Sequence, residues 1–292
     1  MSTPKEPQFF AADICGHQRR ITTLPEYLAC FETGDRLAIG EASTCYLGSP
    51  GAPSAIREFC PQARIIIMLR NPIDVMRAEH SERLVGGAEH IVEFETALDS
   101  SHLRRYRSGP FKGQRVMRLS YRELVLFSQQ VKRFVETFGR PNVHTIVYDD
   151  FARNASRVCE DVLKFLDVST NYTCAVKVVN ANRRVRSAMI LDLMRYPPKT
   201  IQELVRTLLP WSVRQGITGY LNNLNLQFVA RPSLDQEFTK RLELEYVEEV
   251  RQLGKLIDRD LSNWISNSSI NSDRTLLAAT TEIPTRNGAT DE

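Results

Sequence analysis

The chain lacks most of the features that would place it at a glance. No apolar run in its 292 residues reaches the roughly 18 that a membrane helix needs, so no span is expected. The opening MSTPKEPQFF lacks the charged start and apolar core of a secretory signal. No GxxxxGK[ST] loop occurs, so the usual cradle for a nucleoside triphosphate is missing. No C-x-x-C spacing occurs, and no metal-ligand cluster is expected. The net charge of +3 comes without a dense basic stripe, which argues against nucleic acid as a partner. No internal repeat or long linker divides the chain. One domain over residues 1–264 is expected, followed at 265–292 by a disordered tail rich in Ser, Asn, Thr and charge.

The cysteines are Cys15, Cys30, Cys45, Cys60, Cys159 and Cys174. Several fall at equal intervals, but the residues around them do not repeat. A reduced, cytoplasmic protein is the simplest setting. Sequons at Asn154, Asn171 and Asn267 matter only in a secreted protein.

Hydrophobic content of 42% and charged content of 25% are those of an ordinary globular domain. The most informative stretch is RIIIMLRNPIDVM, residues 64–76. Ile65, Ile66 and Ile67 are stiff at χ1 and favour the extended state. A continuous apolar run of this length predicts a strand covered on both faces, as in a parallel sheet. Pro72 ends it and disfavours the α region at Asn71. Asp74 then suits the positive end of a helix. Arg70 is thereby expected at the carboxyl end of a strand, where open α/β sheets bind ligands. A guanidinium there can grip a phosphate bidentately at any working pH. On pattern alone an ordinary loop arginine is the more frequent reading.

Elsewhere, helices are expected over 24–33, 53–59, 74–85 and, continuously, 121–138, with Gly139 as its stop. Strands are expected at 36–41 and 142–151. Val158, Val162 and Phe165 mark another helix. Beyond Arg184 the chain reads as helical. Ser233 and Gln236 form a capping box for a long helix carrying Leu242, Tyr246, Val250, Leu253 and Ile257 on one face. Strands alternating with helices predict an α/β fold with a parallel sheet.

Six stretches, in order, carry a resemblance: KEPQFF (5–10), GEASTCYL (40–47), ARIIIMLRNPIDVM, NVHTIVYDDF, VNANRRVRS (179–187) and LGKLIDRDLSNW. Together they resemble the PAPS-dependent sulfotransferases, P-loop-like α/β enzymes that move a sulfuryl group from 3'-phosphoadenylyl sulfate. Bacterial members with RNPxDVM and VNANxRVRS are the most similar.

The resemblance implies several roles. Arg70 would bind the 3'-phosphate of PAPS. The serine that usually shares this phosphate is Ala78 here, and Ser81, one turn further on, is its substitute. Glu6 would be the general base that takes the acceptor proton. Beside Phe9 and Phe10 its carboxyl would be partly desolvated. Without the resemblance, Glu6 is a surface glutamate. The histidine that accompanies the base in relatives is Gln8. Glu41 stands in a motif that often reads EKTP, with Ala42 in place of the lysine, and either acts in the cleft or caps a sheet edge. Asn182, Arg183, Arg184 and Arg186 form a basic cluster, of which Arg184, with Ser187, would close over the 3'-phosphate. A solvated charged loop explains that cluster equally well.

Relatives also carry a first strand and a Gly/Lys-rich phosphate loop upstream of the KEPQFF-like motif, and this chain begins at MSTPKEP. Loss of that central strand would expose two ladder edges. A misplaced start, a fragment and a truncated, inactive protein are the alternatives, the first two preferred. The leading expectation is sulfuryl transfer from PAPS to a hydroxyl or amine of a carbohydrate or small molecule, without a metal. A binding module without activity is the second. A nucleotide-dependent kinase, with Asp149 and Asp150 as the only candidates for a magnesium ligand, is the third.

Overall fold

The computed structural model describes residues 1–15, 21–31, 34, 38–86, 88–100, 106–108, 115–117, 119–170, 183–185, 226–228, 231 and 233–266. The chain divides into two units. One comprises Met1–Met76, Leu98–Val176 and Lys240–Ser266, the other Arg77–Ala97, Lys177–Thr239 and Asn267–Glu292.

The first unit is built on a parallel strand pair. The isoleucine run forms β1, Ile65–Leu69, and the VHTIV run forms β4, Val143–Val147. Their register runs from Ile65 opposite Val143 to Leu69 opposite Val147. The predicted parallel pairing is therefore present, but coverage of both faces is not. Ile67 and Leu69 are buried, whereas Ile66 and Met68 are 41% and 47% exposed. Side chains alternate across a strand, and among the described residues only one face of β1 is fully covered. Two strands seen as backbone, β2 (Tyr106–Ser108) and β3 (Arg115–Met117), pair antiparallel. No strand forms over the described residues 38–41 of the expected 36–41 stretch, and Ile39 is exposed there.

Short helices precede β1: α1 (Ala12–Cys15), α2 (Leu24–Leu28) and α3 (Ala52–Phe59). The second is shorter than expected. Thr23 and Glu26 close a capping box at its start, and the chain leaves the helix at Ala29. After β1 come α4 (Pro72–Val85) and α5 (Phe94–Ser100). The continuous helix predicted for 121–138 is two: α6 (Tyr121–Leu124) and α7 (Phe127–Phe138). Gln130 Nε2 donates to the carbonyls of Glu123 and Leu124 at the break. Gly139 ends α7 at φ +79°, as its freedom permits.

Strand β4 stops at Val147, so the acids expected at its end lie in the first turn of α8, Tyr148–Arg153. Helix α9 spans Ala155–Phe165. The long helix, α10, spans Gln236–Ile257 and is followed by α11, Asn263–Ser266. Leu242, Tyr246, Val250, Leu253 and Ile257 are all buried, as their spacing predicts. Its start is capped by Asp235, whose Oδ2 accepts from the amides of Glu237 and Phe238, and not by Ser233.

In the second unit His80 Nε2 lies 2.8 Å from the Ile91 carbonyl, and its ring meets Phe94, which meets Phe238. Strands β5 (Arg183–Val185) and β6 (Leu226–Phe228) pair antiparallel, so the half expected to be helical holds strands as well. Cys15, Cys30, Cys45 and Cys60 are in no disulfide, but Cys159 is disulfide-bonded, contrary to the fully reduced chain expected. Residues 267–292 of the expected tail lie outside the described residues.

Candidate active site

Because β1 and β4 run parallel and in register, their carboxyl ends deliver Arg70 and Tyr148 side by side. The Arg70 guanidinium carbon lies 4.8 Å from the Tyr148 ring centroid. Its Nε and Nη2 donate to Asp74 Oδ2 at 3.3 and 3.1 Å. The Asp74 predicted for the helix start is there, and it is also the partner of this arginine. The Arg70 side chain retains 20% exposure. Its Nη1 makes no hydrogen bond among the described residues. The turn itself is fixed by Asn71, whose Oδ1 accepts from the Ile73 amide at 2.9 Å and whose Nδ2 donates to the Trp264 carbonyl at 2.8 Å. A polarisable, permanently charged donor thus sits at the rim where a parallel sheet meets ligands.

A second cluster surrounds the KEPQFF segment. Glu6 and Gln8 hold φ of +55° and +57°, the left-handed region that non-glycine residues seldom occupy. The amide of Gln8 donates to Ser43 Oγ at 3.0 Å, and that of Phe10 to Tyr46 Oη at 3.3 Å. Both hydroxyls in turn donate to Glu41, Ser43 at 2.6 Å and Tyr46 at 2.7 Å, and Tyr27 adds a third bond at 3.0 Å. Glu6 itself accepts from Thr44 Oγ1 at 3.4 Å. Phe9 stacks on Tyr27, and Phe10 meets Tyr27, Tyr46 and Phe59 edge-on or tilted. Burial, reinforced by Glu41, pushes the Tyr27 and Tyr46 phenols well above their ordinary range, so both stay protonated donors. No hydrogen bond or ion pair joins Glu6 to Arg70 among the described residues.

Ser81, in the second unit, donates to the Arg77 carbonyl one turn back at 3.1 Å. Arg184 is described as backbone, opposite Gln227 in the β5–β6 pair. Ser187, Asn182 and Arg186 lie outside the described residues. Asp149 accepts from Trp264 Nε1 at 2.9 Å and Asn263 Nδ2 at 3.3 Å, and Asp150 pairs with Arg259 at 2.7 Å. Both carboxylates have protein partners, and among the described residues no group of three or more His, Cys, Asp or Glu could hold a metal ion. The sequence reading did not single out Tyr148, Tyr27, Ser43, Thr44 or Tyr46. The signal for Tyr148 was its place one residue past β4, level with Arg70. The signal for the others was GEASTCYL, a hydroxyl-rich run directly after a glutamate.

No family model matches the chain, and no curated protein matches it. Among solved structures the chain is similar to the crystal structure of a sulfotransferase from Alicyclobacillus acidocaldarius. The TM-score is 0.61 and the identity 24%, over 90% of this chain and 87% of that one. The likeness shows a sulfotransferase-like fold.

Proposed function

We propose that the protein is a PAPS-dependent sulfotransferase acting on a hydroxyl or amine of a carbohydrate or small molecule. The observation that supports it best is Arg70 at the carboxyl rim of a parallel strand pair, on a sulfotransferase-like fold. In this reading Arg70 takes the 3'-phosphate of PAPS through Nη1 and, by exchange with Asp74, through Nη2. Ser81, Arg184 and Ser187 are further nucleotide-binding residues only as the resemblance implies. Glu6 accepts the acceptor proton as the acceptor oxygen attacks sulfur and the sulfur–phosphate oxygen bond breaks, releasing adenosine 3',5'-bisphosphate. The domain proposed for this activity is 1–264, preceded in relatives by the phosphate loop, and the compartment is the cytoplasm. The cysteines in no disulfide favour that compartment, and the Cys159 disulfide counts against it.

A binding module without turnover is the competing reading. It is favoured by the Arg70–Asp74 ion pair, which already occupies part of the guanidinium. The kinase reading loses its candidate metal ligands to Trp264, Asn263 and Arg259.

Calorimetric titration with adenosine 3',5'-bisphosphate, and transfer from labelled PAPS to a panel of hydroxyl and amine acceptors, test the proposal. Binding and transfer are both expected. Arg70→Ala should weaken binding about 10- to 100-fold, the loss of one or two charge-assisted hydrogen bonds. Glu6→Gln should lower kcat about 100-fold or more with binding retained. No transfer and no binding of adenosine 3',5'-bisphosphate would sink the sulfotransferase reading and leave the module.

A further inference from the structure

The Glu41 carboxylate accepts from three hydroxyls, those of Tyr27, Ser43 and Tyr46. It makes no ion pair among the described residues. All three donors are hydroxyls, each of which keeps lone pairs with which to accept a further bond. Ser43 and Tyr46 are each used twice: the hydroxyl donates its hydrogen to Glu41 and accepts a backbone amide, from Gln8 or from Phe10. A hydroxyl that gives its proton to a carboxylate is left with only lone pairs for the amide, which fixes the direction of both bonds. The amides so held are that of Gln8, itself at positive φ, and that of Phe10, so they anchor the chain just after Glu6, the other residue at positive φ. Such a residue is strained and persists only where its surroundings hold it. Thr44, between the two relay residues, touches the Glu6 carboxylate itself. The aromatic contacts of Phe9 and Phe10 hold the same segment from its side chains, but they have no bearing on its amide directions.

We propose that Glu41 is the positioning residue of this site: through Ser43 and Tyr46 it locks the backbone of residues 6–10 and thereby sets the place of the Glu6 carboxylate. The proposal rests on the reading of Glu6 as the acceptor's base. It gives Glu41 a role distinct from that of an acid in the cleft or a cap on a sheet edge.

The test uses the full chain and two readouts. The first is amide hydrogen exchange by NMR at Gln8 and Phe10. Glu41→Gln, which keeps the shape and can donate where the carboxylate only accepted, should speed exchange at both amides at least tenfold. Ser43→Ala should do so at Gln8 alone, and Tyr46→Phe at Phe10 alone. A general loosening of the fold would not divide between the two amides in this way. If Glu41→Gln fails to fold, the two relay variants carry the same readout. The second is turnover with PAPS: Glu41→Gln should lower kcat about tenfold with the KM for PAPS unchanged, and Glu6→Gln should lower it further. Wild-type exchange at both amides in Glu41→Gln, or in the relay variants, overturns the positioning role. Unchanged turnover in Glu6→Gln, with fast exchange in Glu41→Gln, overturns the base reading instead.

Discussion

His144 shows how one residue's setting becomes a property of the fold. It is the second residue of β4, opposite Ile66, half-buried, with its ring stacked on Phe165 at 5.1 Å. Burial lowers its pKa below the ordinary 6.5, and the Asp161 charge offsets this only in part. The unfolded chain therefore binds a proton more readily than the folded one between that lowered value and 6.5. Stability is constant above the unfolded value and falls as pH drops through the window beneath it. The urea midpoint should decline from about pH 7.5 to about pH 5.5, and His144→Gln should flatten part of that decline. An equal decline in the variant would show that other groups carry it. At the same scale the site was half legible. Arg70 could be placed because a β-branched run and Asn71-Pro72 mark a strand end locally. Its partners could not: Tyr148 opens a helix just past a strand far along the chain, and Asp74 reads as a helix-start acid until the structure shows it bonded to the guanidinium.

At the scale of elements, periodicity located helices and local chemistry decided where they end. The apolar spacing from Tyr121 to Phe138 is continuous, and Tyr121, Val131, Phe134 and Phe138 are all buried. The break between α6 and α7 leaves that spacing intact, so periodicity had no means of showing it. What fixes the short α6 is its cap: Ser120 Oγ accepts from the Glu123 amide at 3.2 Å, and Glu123 reaches back to the Ser120 amide at 2.8 Å. Ser120→Ala should cost about 1 kcal/mol in urea unfolding, the usual worth of a cap. A cost near zero would mean that α6 is held by the burial of Tyr121 alone. The start of α10 was misplaced for a related reason. Ser233 and Gln236 fit a capping box by spacing, but Asp235 stands next to the first helical residue and reaches two amides. Spacing rules list candidates for a cap, and reach selects among them.

At the scale of the whole molecule the largest departure from expectation is the sheet. A run of three isoleucines was read as buried on both sides because parallel strands in α/β proteins are sandwiched between helices. Here β1 pairs with β4, and its Ile66 and Met68 face outward. A continuous apolar sequence reports only that both faces tolerate burial, not that both are covered. The faces should therefore respond oppositely to substitution. Leu69 is fully buried, and Leu69→Ala should cost about 2–5 kcal/mol, the transfer loss plus the cavity. Met68→Lys, one residue away, should change stability by about 0.5 kcal/mol or less, as exposed positions do. An exposed apolar pair on a strand also promotes association between copies. Met68→Lys with Ile66→Thr should accordingly lower the concentration-dependent light scattering of the protein while leaving its urea midpoint in place. Destabilisation by Met68→Lys comparable to that of Leu69→Ala would mean that this face is covered in solution and that the alternation along β1 is wrong.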